Sequence, residues 1–271
     1  MAAMAPFFSI IVPTLNSEAT ISACLSNVLE QTFGDIEVVV TDGLSTDATE
    51  EIVTEHARAD PRVRWDSARD EGIYDAMNRG MSLARGQWLY FMGSDDVLAE
   101  PDTLARVASQ ARAHDRVMYG SVRMEGNAPW AADGSIYDGR FSVRKLMTKN
   151  ICHQAMFYRR DFLDSEVGGY SIGYKTCADW DLNLRCRAKT PFHYLRMVVA
   201  VFRAGGQSTT TPGDAALGDG FVDRTLGYFH MSPFHPIAIA AFRHRKRELA
   251  RQCWRTLTHR PGRSAGGASG R

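Results

Sequence analysis

The chain has 271 residues, 44% of them hydrophobic and 23% charged, which are the proportions of an ordinary globular protein with ample core material. Its 32 basic and 31 acidic side chains give a net charge of +1, so we expect no nucleic-acid partner. The five cysteines lack a CxxC spacing, which argues against a zinc site or disulfide framework and favours a cytoplasmic location. We expect neither a secretory leader nor a membrane-spanning helix, because no apolar run approaches the ~20 residues of a span.

The first hundred residues are predicted to alternate between strands and helices. Runs of apolar and β-branched residues predict strands at 7–12, 36–40, 63–65 and 88–92. Apolar side chains recur at helical spacing from Ile21 to Leu29, around Ile52 and Val53, and from Tyr74 to Ala84. This order is typical of a parallel sheet of the nucleotide-binding kind.

One stretch organises the rest of the chain. Trp88 to Met92 is a continuous apolar run, typical of a strand buried on both faces, and Ser94, Asp95 and Asp96 follow it. Ligands of open α/β sheets bind at the carboxyl ends of the strands. Paired carboxylates at such an edge favour a divalent cation that bridges to phosphate, since Mg²⁺ and Mn²⁺ prefer hard oxygen ligands. The alternative is an Asp-rich turn that caps the next helix.

Further polar groups are expected at the same sheet edge. The first two strands end at the turns Pro13–Asn16 and Thr41–Gly43. Asp42 is suited to accept an N–H from a nucleobase, although Asp-Gly is also a common turn pair. Asn78 and Arg79 lie one helical turn beyond Tyr74 and Asp75, so their face either lines the cleft or is merely solvated.

The second half is less regular. Helices are predicted at 101–113, 141–148 and 179–188, and strands at 117–124, 155–158 and 192–202. Asp179 and Asp181 flank Trp180 on the last of these helices, so the two carboxylates cannot point the same way. Trp180 is either a sugar-stacking platform or a core residue, and His153 either a cleft residue or a core histidine.

Six motifs, in order, resemble those of family 2 glycosyltransferases. They lie at 8–16, 38–49, 70–80, 93–96, 153–155 and 178–185, within a region of about 7–208. The resemblance implies an α/β GT-A fold, a mainly parallel central sheet flanked by helices. In it a Rossmann-like nucleotide-binding half, 7–98, joins an acceptor half, 99–208. It also implies inverting transfer from a nucleotide-sugar, most commonly a UDP-sugar, with Mn or Mg, to a lipid-linked or saccharide acceptor in glycolipid or cell-surface polysaccharide biosynthesis.

The resemblance also implies roles for individual residues. The donor side is Pro13, Thr14, Asn16, Asp42, Asp70, Asn78, Arg79, Ser94 and Asp95. Asp95 is the metal-binding position, where Asp96 compensates for Gly93, which replaces a frequent Asp. Asp179 matches the catalytic base, with Ala178 where Glu is frequent. From the residue types themselves, we expect the acceptor or phosphate side to hold His153, Trp180, Asp181 and Arg203.

The same chemistry follows from the residue types. Displacement of a nucleoside diphosphate develops negative charge on the leaving group, and a metal at Asp95 with Arg79 or Arg203 stabilises it. Direct inversion needs a single carboxylate base for the acceptor hydroxyl. Two alternatives stay open. A sugar nucleotidyltransferase has a basic Gly-rich loop after its first strand, whereas 13–17 holds no Lys or Arg. A catalytically weak binding protein would explain Gly93.

The C-terminal part changes in composition. We expect a flexible loop over 209–233, a basic amphipathic helix over 234–259 that begins at Pro236, and a disordered tail over 260–271. Residues 243–271 carry nine Arg or Lys residues against the single acid Glu248. Such a helix either lies on an anionic membrane, here the inner face of the plasma membrane, or packs on the catalytic domain.

Overall fold

The computed structural model describes residues 5–128, 131–137, 139–205, 221–241 and 243. Its nine strands form one sheet in the order β3-β2-β1-β4-β8-β6-β9-β5, with β7 paired to β6. The strands are β1 Phe8–Thr14, β2 Ile36–Asp42, β3 Val63–Ser67, β4 Trp88–Phe91, β5 Val97–Leu98, β6 Val117–Glu125, β7 Ile136–Tyr137, β8 Met156–Arg159 and β9 His193–Arg203. The α-helices are α1 Ile21–Leu29, α2 Thr49–Ala59, α3 Ile73–Leu83, α4 Thr103–Gln110, α5 Val143–Thr148, α6 Arg160–Phe162, α7 Ala178–Lys189 and α8 Phe221–Tyr228. A 3₁₀ turn spans His153–Ala155 and a π-helical turn spans Leu163–Val167.

The first four strands of the sheet order, β3-β2-β1-β4, are parallel throughout. Every residue of β1, β2 and β4 is buried, as the unbroken apolar runs predicted. Successive side chains alternate between two cores. Ile10 and Val12 pack with α1 on one face, and Ile11 packs with α3 on the other. The parallel register brings Thr14 opposite Asp42, so the polar turns after β1 and β2 lie at one edge.

The second half continues the same sheet without a break. β8 runs antiparallel to both β4 and β6, and β9 runs parallel to β6 and antiparallel to β5. The predicted α/β sheet is therefore parallel from β3 to β4 and mixed beyond β4. The two-residue strands β5 and β7 and the turn at Leu163–Val167 were not predicted from the sequence, because such short elements carry no periodicity.

The region after β9 corrects one prediction. A loop was expected over 209–233, but Phe221–Tyr228 forms α8, with Phe221, Thr225 and Leu226 buried. The next helix begins at Pro236, as predicted. Its start packs on the domain, since Ala238 is 1% exposed and Ile237 contacts the core on the α3 face of the sheet. The rest of the predicted basic helix and the tail, 244–271, lie outside the described residues. In the part of the chain that is described, no helix is long and apolar enough to cross a membrane.

Candidate active site

A cleft of about 510 Å³ opens at the carboxyl edge of the parallel strands. Its walls come from the end of β1, the turn after β4, the start of α3, the 3₁₀ turn and the segment that leads into α7. It brings together ten of the residues predicted from sequence: Pro13, Thr14, Asn16, Asp70, Ser94, Asp95, Asp96, His153, Asp179 and Arg203. Residues more than 180 positions apart in the chain thus share one cavity, as the topology of an open α/β sheet requires.

The wall formed by the end of β1 offers polar atoms to the cleft. The hydroxyl Oγ1 of Thr14 is buried and has no hydrogen-bond partner among the described residues. Asn16 adopts a left-handed backbone with φ of 50°, and its Oδ1 accepts the Thr46 amide at 2.9 Å. Ser17 and Ser94 join the two strand ends through a hydroxyl contact of 2.9 Å. The wall is therefore fixed before any ligand arrives.

Asp95 and Asp96 lie side by side after β4. Asp96 is 2% exposed, and its Oδ2 accepts the Gly93 amide at 3.2 Å and Gln154 Nε2 at 2.9 Å. Burial, and then the neighbouring Asp95 charge, raise the pKa of Asp96 to about 7. Two close carboxylates in a partly dry site are the arrangement that a divalent cation relieves.

Gly93 explains how both carboxylates fit. A Cβ at this position would lie 2.7 Å from Asp96 Oδ2 and 2.8 Å from Asp95 Oδ1. Both distances are too short for van der Waals contact, so any larger residue would displace the carboxylates. Gly93 therefore leaves the space that the carboxylates of Asp95 and Asp96 occupy.

Asp179 stands in the first turn of α7, partly accessible from the cleft. Burial raises its pKa to about 7, although hydrogen bonds from Asn150 and Tyr74 act in the opposite direction. Asn150 Nδ2 donates to its Oδ2 at 2.7 Å. Among the described residues, no cationic side chain forms an ion pair with it. This carboxylate is therefore a stronger base than an ordinary aspartate.

His153 lies on the same cleft through the 3₁₀ turn. Its Nε2 is buried and has no partner among the described residues. Burial lowers the pKa of His153 to about 4, so the imidazole is neutral at pH 7. A neutral ring nitrogen without a partner is suited to a hydrogen bond with a bound hydroxyl or phosphate.

Three predicted donor residues do not line the cleft. Asp42 is 1% exposed, and its carboxylate accepts from the Ser45 hydroxyl at 2.5 Å, the Ser45 amide at 3.0 Å and the Ser67 hydroxyl at 2.7 Å. Asn78 exchanges two hydrogen bonds with the Tyr170 backbone, at 2.8 and 2.7 Å. Arg79 donates to the Ala68 and Asp42 carbonyls and pairs with Asp66 at 3.0 Å. These side chains hold the loops around the cleft.

Two predicted acceptor residues are also used elsewhere. The Trp180 indole donates to the Leu146 carbonyl at 2.6 Å, and its ring meets the Phe221 ring at 5.2 Å between centroids. Asp181 accepts from Arg185 at 2.8 Å and from the Tyr228 hydroxyl at 2.8 Å. Neither side chain lines the cleft. Of the two alternatives for Trp180, it is therefore a packed residue and not a stacking platform in the cleft.

Several residues of the site were given no role from the sequence. Among them are four that line the cleft and one that supports Asp179: Tyr74, Gln154, Lys175, Thr176 and Asn150. Tyr74 and Gln154 fall inside recognised motifs, so their positions were a usable signal. Lys175 and Thr176 lie in a loop without a pattern.

The parallel half-sheet with Asp95 and Asp96 at its edge, which continues without a break into a mixed half-sheet, places the chain in the class of GT-A glycosyltransferases. The sequence comparison gives the same answer. Residues 9–166 match glycosyl transferase family 2, and the chain belongs to that family. It is a glycosyltransferase, which sets aside the nucleotidyltransferase alternative.

Known proteins resemble the chain at two levels. A Mycobacterium tuberculosis protein described as a PGL/p-HBAD biosynthesis glycosyltransferase is 44% identical over 214 residues, 76% of this chain and 80% of that protein. S. aureus TarS 1–349 in complex with UDP-GlcNAc superposes with a TM-score of 0.68 at 20% identity, over 83% of this chain and 66% of that one. The mannosyltransferase PcManGT from Pyrobaculum calidifontis, in complex with GDP-Man and Mn²⁺, gives 0.58 at 18%, over 94% and 81%. The two structures establish likeness of fold.

Proposed function

We propose that this chain transfers a sugar, with inversion, from a UDP-sugar to a hydroxyl group of a lipid-linked acceptor in glycolipid biosynthesis. One observation carries the proposal: a single cleft is lined by the carboxylate pair Asp95 and Asp96 and by the isolated, basic carboxylate of Asp179. Donor activation and acceptor activation need these two kinds of group within reach of one sugar.

The donor nucleotide is proposed to lie against the end of β1 and Asp70. Two features support this position: the Thr14 hydroxyl has no hydrogen-bond partner among the described residues, and the turn at Asn16 is already formed. The two solved neighbours carry UDP-GlcNAc and GDP-Man, so both bases belong in a donor screen. A uridine donor is the first candidate, because a UDP-sugar is the donor that the resemblance to family 2 most commonly implies.

A divalent cation, Mn²⁺ or Mg²⁺, is proposed at Asp95 and Asp96. The donor set fits, because it consists of hard oxygens. Burial and then the Asp95 charge raise the pKa of Asp96, and a bound cation would relieve both penalties on the ionised pair. No group of three His, Cys, Asp or Glu side chains occurs among the described residues, so diphosphate oxygens and water would complete the coordination. When bound, the cation would stabilise negative charge on the departing diphosphate.

Asp179 is proposed as the general base. The O–H bond of the acceptor breaks, its proton passes to the Asp179 carboxylate, and the oxygen bonds to the anomeric carbon. The bond from that carbon to the diphosphate oxygen breaks on the opposite side, so the configuration inverts. Arg203 and Lys175 line the cleft and are proposed to lie by the phosphates, while His153 is proposed to contact the acceptor or a phosphate oxygen.

A lipid-linked acceptor is supported by the M. tuberculosis relative, whose name refers to PGL/p-HBAD biosynthesis. Peripheral contact with an anionic membrane is proposed through the basic residues beyond Arg243, because each basic residue near such a surface contributes ~1 kcal/mol. The start of this helix packs on the domain, as Ala238 is buried, so the proposal concerns the basic residues that follow in the sequence.

The donor proposal is tested with a panel of UDP- and GDP-sugars. Release of free nucleoside diphosphate, with and without Mn²⁺, is the readout. We expect release from at least one sugar nucleotide, loss in EDTA, and loss in Asp95→Asn, because an amide is a poor ligand for a hard cation. Full activity in EDTA, or in Asp95→Asn, would remove the metal from the proposal.

The membrane proposal is tested separately by flotation with phosphatidylserine vesicles. The full chain should float at low salt and less as salt rises, since screening weakens such binding. The matched control is a chain that ends at Arg243, which keeps the packed helical start. If both chains stay unbound at low salt, the basic segment has no membrane role.

A further inference from the structure

A chain of three hydrogen bonds runs from the protein interior to Asp179. The Tyr158 hydroxyl donates to Asn183 Oδ1 at 2.7 Å, and Asn183 Nδ2 donates to Asn150 Oδ1 at 2.9 Å. Asn150 Nδ2 then donates to Asp179 Oδ2 at 2.7 Å. Tyr158 and Asn183 are 0% exposed, so water cannot replace these partners. We name this set of Tyr158, Asn183 and Asn150 the amide relay.

The relay can be complete in only one direction. An ionised carboxylate only accepts hydrogen bonds, so Asn150 must turn its N–H₂ toward Asp179 and its Oδ1 toward Asn183. Asn183 must then offer its own N–H₂ and keep its Oδ1 for the tyrosine hydroxyl. In the reverse direction both amides are flipped, Asp179 carries the proton on Oδ2, and the Tyr158 hydroxyl loses its acceptor. A buried donor without a partner is costly, so the forward direction is favoured.

We propose that the amide relay consists of positioning residues that reserve Oδ2 of Asp179 as an acceptor and direct the incoming proton to its other oxygen, Oδ1. The inference rests on the proposed role of Asp179 as base and deepens it. The acceptor O–H bond breaks, a bond forms between that proton and Oδ1, and the electron pair left on oxygen forms the new glycosidic bond. The nucleoside diphosphate departs with the electrons of the broken C–O bond.

The relay also accounts for how the carboxylate stays usable in a partly dry site. Burial favours the neutral acid, and a hydrogen bond from a fixed N–H favours the ion. A free Asn150 side chain could rotate its oxygen toward Asp179 whenever the acid is protonated. Because Asn183 and Tyr158 hold Asn150 in place, its N–H₂ group supports only the ionised form of Asp179. This is the form that accepts a proton.

Other titratable groups surround Asp179 and must be kept apart from it in any measurement. Its neighbours on other elements are Tyr74 on α3, Cys152 before the 3₁₀ turn, Tyr158 on β8 and Tyr170 before α7. Burial raises the pKa of each, so they remain neutral near pH 7. The cleft also holds Asp70, Asp95, Asp96, His153, Lys175 and Arg203.

The test follows the protonation of Asp179 by infrared difference spectroscopy on the full chain. The acid carbonyl band that disappears in Asp179→Asn belongs to this residue, which separates it from Asp96. Tyr158→Phe removes only the terminal hydroxyl of the relay. We expect the Asp179 titration to move upward by about half a pH unit or more, because the ion loses support. Asn183→Asp faces Asn150 with an acceptor and should shift it further.

Kinetics give a second, independent readout with the best UDP-sugar of the donor panel and Mn²⁺. Tyr158→Phe should lower kcat by about 3- to 10-fold with KM for the donor nearly unchanged, since the relay acts on the base alone. The matched control is Tyr119→Phe. Tyr119 is also buried, but its hydroxyl accepts the Phe141 amide and lies outside the relay, so the titration and kcat should stay near wild type.

Two results would overturn the proposal, and they differ. If Asp179 titrates in Tyr158→Phe and Asn183→Asp as it does in Tyr119→Phe, the relay has only a structural role, whatever the function of Asp179. If the titration shifts but Asp179→Asn retains full turnover, the relay positions a carboxylate that is not the base, and the proposed function fails with it.

Discussion

The two sides of helix α7 hold carboxylates only two residues apart, yet their surroundings are opposite. On the outer side, Asp181 is paired with Arg185 and also accepts from Tyr228, each at 2.8 Å. On the cleft side, Asp179 receives hydrogen bonds from neutral groups and has no cationic partner among the described residues, and its pKa is raised to about 7. Asp181 thus contributes to the packing of α7, whereas the charge of Asp179 is not neutralised by a neighbouring cation among the described residues.

The difference shows how the chain separates stability from chemistry. A buried carboxylate that is paired with a cation cannot be removed without leaving a buried charge uncompensated, and its partners occupy the positions from which it would act as a base. A carboxylate supported only by neutral donors costs stability and is available for proton transfer. Both carboxylates lie in the first turn of α7, where the positive end of the helix dipole stabilises a negative charge. The helix start alone therefore does not distinguish them.

The largest difference between the two carboxylates is expected in the turnover number, kcat. Asp179→Asn is expected to lower kcat by about 10²- to 10⁴-fold, because general base catalysis contributes that much. Donor affinity should change little, since the base acts on the acceptor. The control is Asp181→Asn, made two residues away, which should keep kcat within about tenfold of wild type. If Asp181→Asn is the inactive variant, the base has been assigned to the wrong side of the helix.

The free energy of unfolding should show the opposite order, with the larger loss in Asp181→Asn. Asp181→Asn leaves Arg185, whose side chain is 18% exposed, without its charged partner. We expect a loss of about 3 kcal/mol in the free energy of unfolding, measured with urea, since removal of one partner of a buried pair costs that much. An unchanged urea midpoint would mean that the pair contributes nothing to the packing of α7.

The pH dependence of stability tests the cleft side of the helix. The folded pKa of Asp179, about 7, exceeds the ordinary value of 3.8, so folding binds a proton more tightly and stability falls as pH rises from about 4 to about 7. Asp179→Asn removes this loss. Its Tm should exceed that of wild type by a few degrees at pH 8 and match it near pH 4, both in EDTA. Equal differences at the two pH values would contradict the raised pKa.

Gly93→Ala should give the smallest change. The added methyl group lies against the carboxylates of Asp95 and Asp96, at 2.8 and 2.7 Å, so one of them must move. We expect the Mn²⁺ concentration for half-maximal activity to rise about three- to tenfold while metal-free stability stays near wild type. Gly34→Ala is a matched control, because a Cβ there meets nothing within 4 Å. Equal metal dependence in both variants would show that the carboxylates do not need this space.

The fold was largely predictable because its signals are local. The apolar run at Trp88–Met92 and the polar turns after β1 and β2 specify buried parallel strands whose carboxyl ends meet at one edge. The cleft residues at these strand ends followed from the same rule. Motif order supplied the rest of the donor half and the position of Asp179.

The use of individual polar side chains was not predictable, since it depends on distant partners. Asn78 bonds to Tyr170, 92 residues away, and Trp180 to Leu146, 34 residues away. Asp42 is saturated by Ser45 and Ser67, and no spacing rule reveals that pairing. The amide relay brings residues 158, 183 and 150 together only after β8 and α7 have packed.

The most direct test of the account is the pH dependence of kcat/KM for nucleoside diphosphate release with saturating Mn²⁺. Between about pH 5.5 and pH 8.5 the wild-type value should rise along a single limb centred near 7, the pKa of Asp179 in the free enzyme. The residual activity of Asp179→Asn should show no such limb. If the limb persists in that variant, the titrating group is another carboxylate, with Asp96 the first candidate, and the assignment of Asp179 as the base is wrong.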